Sequence, residues 1–427
     1  MTMTVFSVAI LALALLGTPL FVIVSSTAMA SFAAAGIDTQ NAIVELYRLA
    51  ANPFLITIPM FTFAGFLMAE GGTAKRLARV ARACMGWLPG GLVIATILAC
   101  SFFTTFSGAS GVTIIALGGL FLPVLIAEKY PERFSFGLCT AAGSMGLLLP
   151  PALPLIVYGM VAGVEINKLF IAGLLPGLLT VVVLSVFGVW VALRSDAVRT
   201  KLSAKEFFGS IWEFKWEALV PVIIVAGIFG GIVTVAEVSA ITAAYVLIVE
   251  VFVYKDLQIR RDMPRVMRNS MILVGAILTI LGCALGLTNY LVDAEVPMKI
   301  FEVAQQFFTS KWTFLLALNI FLLIVGGFLD IFSAIMVVVP LIKPVAQEVG
   351  IDPIHLAIIF IANLQIGYLM PPAGIDLCVA SLAFKQPMTR MYRVAIPFVL
   401  VLFIALMVIT YVPWLSLGLL PPEVPVP

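Results

Sequence analysis

Gly146-Leu147-Leu148-Leu149-Pro150-Pro151-Ala152 and Gly367-Tyr368-Leu369-Met370-Pro371-Pro372-Ala373 are two copies of one stretch. Glycine, the second Leu position, both prolines and alanine match at one fixed offset, which also pairs Ala141 with Ala362 and Pro123 with Pro344. Each copy sits inside a long apolar run. A Pro-Pro pair there removes two backbone donors and disfavours the α conformation just before it. A bilayer tolerates freed carbonyls only where they are buried in protein or line a polar cavity. Two interrupted helices at corresponding places in two halves point to a transporter's binding site. The helix breaks are therefore placed at Pro150, Pro151, Pro371 and Pro372.

The composition agrees. The chain has 427 residues, 62% of them hydrophobic and only 11% charged, against about 25% charged in soluble domains. It reads as an all-α polytopic membrane protein. A net charge of +2 gives no nucleic-acid signal. Cys84, Cys100, Cys139, Cys283 and Cys378 show no paired spacing, so neither a disulfide framework nor a zinc site is expected. The first apolar segment lacks a basic leader and a cleavage site and reads as a retained helix.

In chain order, residues 3–17 and 18–36 read as a tight helical hairpin or as one long kinked helix, and 38–52 as an interfacial segment. Residues 53–70 form a span. Lys75, Arg76, Arg79 and Arg82 lie on one face of an amphipathic arm over 72–87, as an interfacial helix requires. Residues 90–127 are two short apolar arms around Ser107-Gly108-Ala109-Ser110-Gly111, each too short for an ordinary span. They suit a hairpin that enters the membrane and turns back; helix packing through small residues is the alternative. The first broken helix covers 134–164 and a span covers 169–193. A charged connection at 194–216 divides the halves. The second half begins with spans at 217–234, 236–254 and 270–290, then a mixed-charge stretch at 293–311. A second hairpin covers 313–347 through Gly326, Gly327, Asp330 and Ser333, the second broken helix 354–384, and a last span 393–415.

The richest Lys and Arg segments are 75–82, 194–215, 255–268 and 385–393, which the positive-inside rule assigns to the cytoplasm. Crossings between them count correctly only if both hairpins are re-entrant and each broken helix crosses once. The first repeat (1–193) and the second (217–427) are then inverted relative to one another, with both termini outside.

The chain resembles the large membrane subunit of tripartite ATP-independent periplasmic (TRAP) transporters. The resemblance rests on Ile58-Pro59, Met68, Glu70-Gly71-Gly72, Leu88-Pro89-Gly90-Gly91, Phe106-Ser107-Gly108, Pro150-Pro151 with Pro154 and Tyr158-Gly159, and Leu169-Phe170 with Pro176-Gly177. It continues through Asp330 followed by Pro340, Asp352-Pro353, and Asn363, Gln365 and Gly367 before Pro371-Pro372. It implies an elevator-type, sodium-coupled importer of an organic anion in the bacterial inner membrane. It also implies a periplasmic substrate-binding protein and a small four-helix membrane subunit as partners. Two departures stand out. The family's Ser-Gly-Ser run reads Ser107-Gly108-Ala109-Ser110 here, and Asp376 stands where Asn is common.

The residue chemistry agrees. An intramembrane carboxylate is a functional hypothesis by default, and Asp330 and Asp376 are the two acids within the second hairpin and the second broken helix. Asp330 and Ser333, with carbonyls at Gly367 and Met370, form one expected sodium site, although Asp330 suits a helix N-cap equally. Ser107, Gly108 and Ser110, with carbonyls near Gly146 and Leu149, form its counterpart. Ser144, Asn363, Gln365, Tyr368 and Asp376 are expected around the substrate, held by half-helix N-termini and amide or hydroxyl donors because no Lys or Arg lies at the tips. His355 reads as interfacial or capping. No cofactor beyond Na+ is expected, and nothing points to catalysis. An intramembrane aspartyl protease would need a Gly-x-Gly-Asp motif that Asp330 lacks; a stand-alone sodium–anion symporter is the nearer competitor.

Overall fold

The computed structural model describes residues 18–36, 38, 44, 47, 50–195, 203–296, 298–299, 302, 310–372 and 374–420. The expected span at 3–17, most of the 38–52 and 293–311 segments, and Ala373 lie outside them. Among the described residues every regular element is helical, and eight helices are long and apolar enough to cross a membrane.

The first half opens with α1 (Leu20–Ala34), α2 (Thr57–Glu70) and the arm α3 (Thr73–Met85). Helix α4 (Gly91–Ser107) then turns at Gly108, whose φ of +63° is the left-handed conformation glycine adopts freely. The chain returns as α5 (Ser110–Ala127). The first broken helix is α6 (Glu132–Ala142) and α7 (Leu153–Ala162), followed by α8 (Ile166–Leu193).

The second half repeats this order. After α9 (Ala204–Phe229), α10 (Val235–Val253) and α11 (Met263–Asp293), helix α12 (Lys311–Phe328) returns as α13 (Ile331–Glu348). The second broken helix is α14 (Pro353–Gly367) and α15 (Ile375–Ala383), followed by α16 (Met388–Tyr411). The duplication in the sequence is therefore also a duplication of elements. Both Pro-Pro bonds are cis.

Burial follows this plan. Every residue of α14 from Ile354 to Gly367 is buried, as is every residue of α6 from Phe134 to Ala142. A helix that is largely apolar all round has no solvent or lipid face to choose and goes to the centre. Around them stand α8 and α16, each burying one side and exposing an apolar stripe. Prolines inside α5, α8, α13 and α16 leave these helices unbroken. Tip residues Ser107 and Ser110 are buried, unlike the turn of an ordinary solvent loop.

One element adds to the sequence reading and another corrects it. Much of the 194–216 connection is helical, because Ser203 caps α9 by accepting from the Glu206 amide at 3.4 Å and the helix runs on unbroken into its apolar part. The arm α3 also differs: Arg76 does not join the other basic residues at the surface but is buried, 7% exposed. Its guanidinium pairs with Glu217, Glu250 and Asp256 and lies 3.6 Å from the Tyr254 ring centroid. A π-helical turn at Val249–Val253 carries Glu250. Arg79 pairs with Glu206 and Glu213 in the open, and its hydrogen bonds hold the Glu206 carboxyl below the usual range.

Candidate functional site

Each hairpin tip packs on the break of its own half. A Cβ at Gly108 would clash with Leu153 Cδ1, at the start of α7. A Cβ at Gly326 would lie 3.0 Å from the Cα of Gly367, and one at Gly327 would lie 3.2 Å from the Pro371 carbonyl oxygen. The tips also reach across: a Cβ at Gly111 would touch Val379 of α15 at 3.2 Å. The first tip thus stands between the distal half-helices of both repeats.

The first break keeps its carbonyls busy. Thr104 Oγ1 donates to the Gly143 carbonyl at 2.6 Å, and Thr105 Oγ1 to that of Gly146 at 3.3 Å. Thr104 and Thr113 share a hydroxyl contact of 2.7 Å between the two hairpin arms. Reading from the sequence missed these three threonines. The run Ser101, Thr104, Thr105, Ser107, Ser110 and Thr113 in an apolar hairpin is the signal that would have found them. The carbonyls of Gly146 and Leu149 each also close a turn, to Leu149 N and Ala152 N.

At the second tip Asp330 is the N-cap of α13. Its Oδ1 accepts from the amides of Phe332 and Ser333, both at 3.0 Å, and its Oδ2 from the Ser333 hydroxyl. The Ile331 amide donates to Tyr368 Oη at 2.5 Å, tying tip to break. The carbonyls of Gly367 and Met370 close turns to Met370 N and Gly374 N.

Asp376 is the exceptional residue. It is fully buried in the first turn of α15, and neither carboxylate oxygen has a hydrogen-bond partner among the described residues. Its near polar neighbours are the hydroxyls of Ser110 and Ser144, both from the first half. Leaving one carboxylate in a dry interior costs far more than packing can offset, so such a group needs a proton or a cation. Gln365 is close to orphaned too: among the described residues its Nε2 reaches only Met145 Sδ, at 3.4 Å, and its Oε1 has no partner. Ser144, Gln365 and Asp376 therefore bridge the two halves, and Tyr368 interacts electrostatically with both Asp330 and Asp376.

Two further residues make contacts to neighbouring elements, although Asn363 Oδ1 has no partner among the described residues. The Asn363 amide donates to Asn319 Oδ1 at 2.6 Å and to the Ile359 carbonyl at 2.8 Å, which locks α14 to α12. His355 is not interfacial. It is buried, with Nδ1 3.1 Å from Ser416 Oγ and Nε2 3.2 Å from the Thr410 carbonyl, while Asp352 supplies the cap.

Residues 4–415 match the family model for the tripartite ATP-independent periplasmic transporter, DctM component. The chain belongs to this family. Among similar proteins of the DctM family is the C4-dicarboxylate TRAP transporter large permease protein DctM of Pseudomonas aeruginosa. It is 35% identical over 383 residues, covering 90% of each chain. The ectoine/5-hydroxyectoine TRAP transporter large permease protein UehC of Ruegeria pomeroyi is 30% identical over 423 residues, covering 98% of each. The YdaH transporter of Alcanivorax borkumensis superposes with a TM-score of 0.65 over 89% of both chains at 15% identity, which shows likeness of fold alone. This DctM-family chain is thus a multi-pass inner-membrane transport subunit and not an enzyme.

Proposed function

We propose that this subunit imports an organic anion, of the carboxylate type, by sodium-coupled elevator transport. A periplasmic binding protein delivers the substrate and a small four-helix membrane subunit accompanies the chain. The observation that carries the sodium reading is Asp376: a fully buried carboxylate with no cationic partner among the described residues, facing only the hydroxyls of Ser110 and Ser144, offers the oxygen set a hard cation takes. Asp376 then belongs with Ser107, Gly108 and Ser110 in the first sodium site. Asp330 and Ser333, with the carbonyls of Gly367 and Met370, make the second. The anion sits between the tips, near Ser144, Gln365 and Tyr368, and neutralises part of the bound cation charge. The matched relatives are named for substrates as different as C4-dicarboxylates and ectoine, so the class and not the compound is proposed here.

Uptake by the complex in proteoliposomes, with its binding protein present, is expected to require an inward sodium gradient. Full uptake driven by a proton gradient in sodium-free buffer would sink the proposal. The inverted arrangement puts Lys75–Arg82 in the cytoplasm and 293–311 in the periplasm. Cysteine labelling in a background lacking the native cysteines is expected to find them on opposite faces, and labelling from one face only rules the arrangement out.

A further inference from the structure

At the end of the molecule where α6 and α16 begin and α8 ends there is a cavity of about 660 Å³, within the ~300–1,000 Å³ of ordinary ligand sites. Its rim is basic: Arg133, Arg390 and Arg393, with Thr389 beside them. Its wall is aromatic. Phe134, Phe187 and Phe398 pack with ring centroids 5.3–6.1 Å apart. Arg390 is paired with Glu132 at 3.0 Å, whereas Arg133 and Arg393 have no ion-pair partner among the described residues and are exposed. No acid among the described residues lines the cavity. A second basic cavity, beside Arg79 and Arg82, differs in being lined by Glu206.

The depth of the cavity follows from its neighbours. Exposed apolar residues run down α8 as Val182, Val186 and Trp190 and down α16 as Ile396, Leu400 and Ile404, the one-turn spacing of lipid-facing stripes. Both stripes stop at the cavity. There Arg194 covers the Trp190 ring at 4.0 Å, an amphipathic pairing suited to the headgroup layer. Arginines above an aromatic slot, at the level where acyl chains meet headgroups, match one ligand chemistry: a phosphodiester carrying hydrocarbon tails.

We propose that this cavity is a binding site for an anionic phospholipid, with Arg133 and Arg393 on the phosphate and the acyl chain along Phe187 and Val191. The test uses the full chain co-purified with its membrane partner and placed in nanodiscs of phosphatidylcholine doped with phosphatidylglycerol. Lipid retained after detergent extraction is read by native mass spectrometry. Wild type is expected to keep phosphatidylglycerol in preference to phosphatidylcholine. R133Q/R393Q is expected to lose about 25-fold in that preference, roughly 5-fold for each lost contact. R133K/R393K is expected to retain most of it, which separates charge from folding. Equal retention of both lipids by wild type, or an unchanged preference in R133Q/R393Q, overturns the proposal. Displacement of the lipid by inorganic phosphate alone would do the same, since it marks a soluble-anion site.

Discussion

Two regions of this protein hold buried carboxylates and differ in what surrounds them, Glu217 and Glu250 at Arg76 and Asp376 in α15. Around Arg76 three carboxylates are each met by donors: Glu250 by Thr73 at 2.5 Å and by Arg76, Glu217 by Tyr254 at 2.6 Å and by Arg76, and Asp256 by the Gly72 amide at 3.0 Å and by Arg76. Around Asp376 there is no cation among the described residues, and its near polar neighbours, the hydroxyls of Ser110 and Ser144, stand too far or too oblique for close hydrogen bonds. Buried polar groups in native proteins are almost always satisfied, so the exception needs a reason. The first region is joinery, complete in itself. The second is an acceptor set whose natural complement is the coupling ion of the proposed cycle.

The largest effect that could break this contrast is at Arg76. Arg76→Ala leaves Glu217 and Glu250 buried without their cation, and removing one partner of a buried pair costs about 3–5 kcal/mol. Little folded protein is expected, measured by size-exclusion yield and melting temperature; a variant as stable as wild type would mean the cluster holds nothing together. Asp376→Asn is expected to do the reverse. A cation near a carboxylate gains ~4 kcal/mol at 4 Å and an effective dielectric of 20, so uptake at sub-saturating sodium should fall about 100-fold or more. Melting temperature in sodium-free buffer should hold or rise, because a costly buried charge is gone. Normal sodium dependence in this variant would remove Asp376 from the ion site. Asp330→Asn sharpens the contrast, because Asp330 both caps a helix and stands in the second proposed site. Asn caps about as well as Asp, so stability should change by less than ~0.5 kcal/mol, while uptake falls roughly tenfold. A wild-type rate would leave Asp330 as a cap alone.

The duplication was legible because Pro-Pro pairs and their fixed offset are local signals, and the hairpins and broken helices follow from them. Arg76 was not. Its spacing with Lys75, Arg79 and Arg82 suggests a plain charged face, but its acids lie 141, 174 and 180 positions away, where no periodicity reaches. Asp376 was recognisable as an intramembrane acid. That it turns toward Ser110 and Ser144 of the other half depends on how the repeats interlock, which each repeat's own sequence does not encode. His355 was misplaced for a simpler reason: a polar residue at the start of a helix reads the same whether it lies at the interface or between neighbouring helices.

The Arg76 cluster has a mechanical consequence. It rivets α3 to α9 and α10, so the arm behaves as a fixed bracket at the root of the first hairpin. Should that hairpin be displaced during transport, the bending must fall on the few residues between Gly86 and Gly91. Gly90 there has φ +72°, and a Cβ at Gly91 would strike the Met85 carbonyl oxygen. The joint tolerates no side chain at its pivot. Gly91→Ala is therefore expected to force the Met85–Gly91 turn apart, seen as a lower melting temperature together with lost uptake.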